Sequence, residues 1–81
     1  MTWDEWIELK NKILKIAEKQ KKHLMVYQDE INFSICDGTI LGVEITGDAW
    51  VFCSGNTCST RIKIANGKTS QQLLNIVEAF I

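Results

Sequence analysis

Hydrophobic residues recur at a helical period at both ends of this chain and at a period of two in between. That order leaves few architectures open. Trp3, Trp6, Ile7, Leu9, Ile13, Leu14, Ile16 and Ala17 share one half of a helical wheel. Glu5, Glu8, Asn11, Lys12, Lys15 and Lys19 share the other half. Thr2 with Glu5 reads as a capping box, and Asp4 and Glu5 suit the positive end of the helix dipole. Lys10 falls inside the apolar arc and must lay its stem along the core and snorkel. The pattern predicts a helix over about residues 3–20. Thr69 with Gln72 predicts a second over about 70–81, whose apolar arc holds Leu73, Leu74, Ile76, Val77, Phe80 and Ile81.

Between the helices, Ile31, Phe33 and Ile35 alternate with polar residues, as do Leu41, Val43 and Ile45. Residues 49–54 and a run around Ile62 and Ile64 are also strand-like. Asp37-Gly38, Gly47-Asp48, Gly55-Asn56 and Asn66-Gly67 stand between the runs as turn pairs. The expectation is one α+β domain over residues 1–81. It has an N-terminal helix, a four-stranded antiparallel β-meander and a C-terminal helix, with residues 23–28 available as a fifth strand. Both helices should cover one face of the sheet, because a sheet with one apolar face needs such a cover.

Turn lengths predict which residues share a face. A three-residue loop at Cys36-Asp37-Gly38, with Gly38 left-handed, pairs Phe33 with Leu41 and Ile31 with Val43. A two-residue loop at Gly47-Asp48 pairs Ile45 with Trp50 and Val43 with Phe52, which puts Trp50 in the core. For the last hairpin, a three-residue loop at Gly55–Thr57 pairs Trp50 with Ile62 and turns Cys53 outward. A two-residue loop would instead set Cys53 opposite Cys58. On the preferred registers the outer face carries Asn32, Ser34, Ile40, Gly42, Glu44, Ala49, Val51, Cys53, Ser59, Arg61 and Lys63.

Chemistry-bearing groups are sparse. One His, one Tyr and one Arg stand in 81 residues, and a chain this short hides about 60% of its unfolded surface. No nucleotide loop is present: Gly67-Lys68-Thr69 lacks the earlier glycine, since position 62 is Ile62. Cys36, Cys53, Cys58 and His23 could surround a zinc ion, but the Cys53–Cys58 spacing is wide for a knuckle. Cys36 with His23 as nucleophile and base has no motif behind it, and His23 reads better as a group near a helix exit. Glu44 is the one carboxylate placed mid-strand on the outer face, with no second carboxylate forced beside it. No enzyme, cofactor or metal is therefore expected.

The net charge of −1 disfavours a generic grip on phosphates. The charge is uneven, however: Lys10, Lys12, Lys15, Lys19, Lys21 and Lys22 form a ridge broken by Glu18. A nucleic-acid domain using Arg61, Lys63 and the Lys10–Lys22 ridge is the second functional reading. It lacks a stacking platform unless an alternative register exposes Trp50 and Phe52. A cysteine-centred metal protein is the third.

The first reading is a small non-catalytic module that binds a protein partner of unknown identity, as a stoichiometric regulator or inhibitor. Ile40, Glu44, Val51, Arg61 and Lys63 on the outer face are its expected contacts, with Trp3 as a partly exposed anchor in the first helical turn. A homodimer through that face or through Ile81 is a variant. An acidic start without an apolar leader run, and three cysteines that cannot all pair, point to the cytoplasm and to no membrane role. Eight Lys to one Arg, with eleven Ile, suits AT-rich codons, as in a low-GC bacterium or its phage.

Overall fold

The computed structural model describes residues 1–36, 38–54 and 59–81. In chain order the elements are α1 (Trp3–Gln20), β1 (Leu24–Val26), β2 (Glu30–Cys36), β3 (Thr39–Glu44), β4 (Ala49–Ser54), β5 (Ser59–Ala65) and α2 (Ser70–Phe80). The strands form one antiparallel sheet in the order β1-β2-β3-β4-β5. Residues 23–28 thus do supply the fifth strand, trimmed to Leu24–Val26.

Both helices begin where the sequence predicts. The Thr2 hydroxyl accepts the Glu5 N–H at 3.2 Å, and the Glu5 carboxylate accepts the Thr2 N–H at 3.2 Å. Thr69 and Gln72 repeat the exchange at 3.2 and 3.0 Å. α1 stops at Lys21, whose left-handed backbone (φ 56°) turns its N–H back onto the Ala17 and Glu18 carbonyls. Removing either cap hydroxyl, by Thr2→Ala or Thr69→Ala, should cost about 1 kcal/mol. A urea titration followed by circular dichroism checks this.

The core lies between the helices and one face of the sheet. Trp6, Leu9 and Ile13 from α1 and Leu73 and Val77 from α2 close over Ile31, Phe33, Leu41, Val43, Ala49 and Ala65. Trp6 also donates from Nε1 to the Gln28 carbonyl at 2.9 Å, which pins α1 to the approach of β2. Lys10 snorkels as its position on the wheel requires. Its Nζ lies 3.5 and 3.4 Å from the Tyr27 and Gln28 carbonyls, and under 6 Å from the Trp3 and Trp6 rings (5.7 and 5.8 Å).

Phe33 lies opposite Leu41 and Ile31 opposite Val43, as expected, but the hairpin does not close through the expected three-residue loop. Cys36 belongs to β2 and pairs with Thr39, and a bulge between Ser34 and Cys36 takes up the extra residue. Gly38 is left-handed (φ 71°), and Asp37 lies outside the described residues. The next hairpin differs. Val43 pairs with Ala49, Leu41 with Val51 and Gly42 with Trp50. The shift from the expected Ile45–Trp50 pairing is an odd number of residues, so every side chain of β4 changes face. Trp50 and Phe52 turn outward, while Ala49, Val51 and Cys53 take the helix side.

Two features favour the observed register. It places the largest side chain opposite the smallest, so that the Trp50 indole lies directly on the Gly42 backbone. It also frees residues 45–48 for a wider turn. The Glu44 N–H donates to the Asp48 carbonyl and the Gly47 N–H to the Glu44 carbonyl, both at 2.9 Å. Gly47 (φ 92°) also accepts the Lys68 N–H at 2.9 Å. A Cβ there would meet the Lys68 backbone, so the turn has room for glycine alone.

β5 differs from expectation in the opposite sense. Trp50 faces Lys63, Val51 faces Ile62 and Phe52 faces Arg61, with a bulge that adds Ile64 between Lys63 and Ala65. The expected Trp50–Ile62 pairing is therefore replaced. Because β4 had already changed face, Arg61 and Lys63 still point outward and Ile62 toward the helices. Cys53 stands opposite Thr60 and Ser54 opposite Ser59, so neither the expected three-residue loop nor the Cys53–Cys58 pairing of a two-residue loop is the one adopted; residues 55–58 themselves lie outside the described residues.

Candidate interaction surface on the outer sheet face

α1 and α2 lie on the same side of the sheet, so its other side is left without a helical cover. A row of paired residues crosses that outer face: Met25, Asn32, Gly42, Trp50 and Lys63. A second row holds Ser34, Ile40, Phe52 and Arg61. Glu30 and Glu44 stand opposite each other at one end.

Trp50 organises this surface. It is 4% exposed yet belongs to no part of the core beneath the helices. Gly42 forms its floor, and the Arg61 guanidinium lies 3.9 Å from the ring centroid as its roof. A cation over an indole at that distance is attracted by the ring's negative face. Arg61 thereby holds its charge against the sheet while its outer side stays exposed. Phe52 and Ile40 are half-buried beside it.

The polar groups below are less completely matched. Glu30 Oε1, Asn32 Oδ1 and Trp50 Nε1 are buried and make no hydrogen bond among the described residues. Burial pushes the Glu30 carboxyl above its ordinary value, and the facing Glu44 carboxylate pushes it further. Arg61 pulls it the other way, as does the nearby Trp50 N–H, which stays short of hydrogen-bond geometry. The Asp48 carboxyl is held low by the Gly67 N–H (2.9 Å) and by Lys63 (3.3 Å).

These shifts have opposite consequences for stability. Between the ordinary and the raised Glu30 values the folded chain binds more protons than the unfolded one, so stability falls as pH rises through that window. Asp48 contributes stability above its unfolded value and loses it as pH falls. Glu30→Gln should therefore stabilise the fold at neutral pH and remove the declining limb above about pH 4.5. Thermal melts at several pH values check this, and an unchanged limb in the variant would contradict it.

The structure keeps four of the expected outer-face contacts together: Ile40, Glu44, Arg61 and Lys63. Val51 does not belong with them. It lies on the helix side and packs against the core, because the β3–β4 register turns it there. Ala49 and Cys53 move with it. Trp3 is 47% exposed, as its place in the first turn suggests, but it lies in the helix layer, apart from the outer face. The sequence reading missed Trp50, Phe52 and Glu30 as members of this surface. The signal for Glu30 was present, since the Ile31–Val43 pairing already sets Glu30 against Glu44.

Two depressions lie outside this face: a shallow, open one of about 390 Å³ beside Lys63, Ile64, Ala65, Asn66 and Lys68, and a narrow one between the helices. The groove between the helices, lined by Glu5, Glu8, Leu9, Lys12, Ser70, Gln71 and Leu74, holds about 60 Å³. Small-molecule sites usually occupy about 300–1,000 Å³. Among the described residues no three His, Cys, Asp or Glu groups come together in a way that could hold a metal ion. Within the same residues no helix is long and apolar enough to cross a membrane. Comparison with protein-family models, curated proteins and solved structures gave no match.

Proposed function

We propose that this protein is a non-catalytic binding module. It acts stoichiometrically on a protein partner, as a regulator or inhibitor, in the cytoplasm of a bacterium or for its phage. The observation that carries this reading is the uncovered sheet face built around the Arg61–Trp50 stack. That face combines an aromatic and arginine centre with half-buried Ile40 and Phe52 and a rim of Lys63, Glu30 and Glu44. Tryptophan and arginine at the middle of a mixed surface are what protein interfaces concentrate at their energetic centres.

The test is affinity measurement against the captured partner, with Ile40→Glu and Phe52→Glu as outer-face variants. Each should weaken binding by about tenfold or more while leaving the far-ultraviolet spectrum unchanged. Retention of the partner at full affinity by both would remove the outer face from the proposal.

One observation favours single-stranded nucleic acid as a second reading. The exposed side of the Arg61 guanidinium, backed by Trp50 and flanked by Lys63, is a flat cationic surface on which a base can stack. Glu30 and Glu44 on the same face oppose it. Binding of this kind should weaken steeply from low to moderate salt, and no binding at low salt would end it.

A further inference from the structure

β5 closes one side of the sheet as an open edge. Among the described residues no strand pairs with its far side. Arg61, Ile62, Lys63 and Ile64 are all exposed, Ile62 by 55% and Ile64 by 42%. The opposite edge, β1, has 3 residues against 7 in β5. A long edge presents unpaired N–H and C=O groups that template a further strand, and short edges avoid this.

The two sides of β5 differ in character. Arg61 and Lys63 face the outer side, opposite Phe52 and Trp50. Ile62 faces the helix side, opposite Val51, where the helices leave it uncovered. Along the chain the charge of this stretch is one-signed. From Ala49 to Val77 the chain contains Arg61, Lys63 and Lys68 and no Asp or Glu. Asp48, only 17% exposed and held by the Gly67 N–H, reaches in to pair with Lys63 at 3.3 Å and offsets part of that charge, while the Lys63 side chain stays 56% exposed.

This charge decides between occupants. In an antiparallel pairing of two copies centred on Ile62, Arg61 would face Lys63 of the other copy. Centred on Lys63, the two Lys63 side chains would face each other. Both registers oppose like charges directly, which disfavours a second copy paired through the middle of β5. A strand with carboxylates at alternate positions meets the same cations favourably and can place its intervening residues over Ile62.

We propose that the β5 edge accepts an extended segment of a partner polypeptide in which acidic residues alternate with β-branched apolar ones. Backbone hydrogen bonds supply the attachment. Arg61 and Lys63 select the acidic side, and Ile62 selects the apolar side. The edge shares Arg61 and Lys63 with the outer face, but its attachment runs through the β5 backbone and Ile62, which Ile40→Glu and Phe52→Glu leave untouched, so either reading can fail while the other stands.

The experiment uses a capped peptide alternating Glu and Val, as long as β5 (7 residues). Its control alternates Lys and Val. Amide shifts and hydrogen exchange of the full chain are followed by NMR. The acidic peptide should protect alternate amides of β5, bind more weakly at high salt and leave β1 unaffected. Lys63→Glu with Lys68→Glu keeps the Arg61–Trp50 stack and should weaken the acidic peptide by at least about fivefold while improving the basic one. Ile40→Glu should leave the acidic peptide's affinity unchanged. Unperturbed β5 amides at about 1 mM acidic peptide would overturn the proposal. So would equal binding of the two peptides, loss of binding in Ile40→Glu, or a concentration-dependent dimer of the free protein with β5 protected.

Discussion

Trp6→Ala should cost about 3–5 kcal/mol, the largest loss expected from any single truncation in this chain. Trp6 is fully buried, with 0% exposure, and touches both layers of the core. Its removal leaves a cavity that the surrounding sheet and helices can refill only in part. It also withdraws the Nε1 donor from the Gln28 carbonyl, the bond that ties α1 to the start of β2. A domain of 81 residues has a total stability of about 4–12 kcal/mol at typical values per residue. The substitution therefore consumes much or all of it. Trp6→Phe separates the two contributions. It keeps most of the ring volume and loses the hydrogen bond, for which about 1–2 kcal/mol is expected. Urea denaturation should show a midpoint lowered by more than about 1 M for Trp6→Ala and a smaller shift for Trp6→Phe. Equal midpoints for Trp6→Ala and the parent chain would mean that α1 is not packed as described.

Gly42→Ala should cost about 2–4 kcal/mol, although it adds a single methyl group to a favourable strand position. The Cβ would enter the space of the Trp50 indole, which rests on the glycine backbone. The ring must leave its seat, and with it goes the Arg61 stack. Trp50 should become more exposed, and its emission should shift to longer wavelength. The cost should largely vanish when Trp50 is first replaced by Leu, because the two positions act through one contact. If Gly42→Ala cost the same in both backgrounds, the indole would not be lying on Gly42, and the β3–β4 register would be wrong.

That register marks the boundary between what pattern reveals and what it does not. Thr2–Glu5 and Thr69–Gln72 locate both helix starts, and Lys10 snorkels as a cation in an apolar arc must. These are local effects, set by residues a few positions apart. The β2–β3 pairing was also legible in its alignment of Ile31 and Phe33 with Val43 and Leu41, although the hairpin closes through a bulge between Ser34 and Cys36 instead of the expected loop. The β3–β4 pairing was not. Gly47-Asp48 looks like a two-residue turn, and that turn would bury Trp50 and Phe52 beneath the helices. The actual choice depends on volume across strands, with Trp50 needing the empty place at Gly42 and Ala49 fitting beneath the helices. It depends as well on Gly47 binding Lys68, 21 residues later, which no local pattern announces. The bulge at Ile64 is a further odd step, and it returned Arg61 and Lys63 to their expected side.

The candidate surface was legible to a similar extent. Ile40, Glu44, Arg61 and Lys63 fall where the alternation puts them. Its centre did not follow, because the two-residue register at Gly47-Asp48 puts Trp50 in the core, and the observed register turns it outward. Trp50 is indeed buried, by Gly42 and Arg61 rather than by a helix. A second, smaller apolar centre on a nominally solvent-facing sheet is hard to infer from hydrophobic period, since period assigns one face to the core and the other to water.

The most direct test of the binding proposal is a matched affinity measurement. Tagged protein is used to capture its partner from the source cells, and the partner is then titrated against four purified chains. These are the parent, Ile40→Glu, Phe52→Glu and, as a control on the far side of the molecule, Gln71→Glu. The account predicts saturable binding at one-to-one stoichiometry, weakened by about tenfold or more in both outer-face variants and unchanged in Gln71→Glu. A partner that binds all four chains equally, or that Gln71→Glu alone releases, would contradict it.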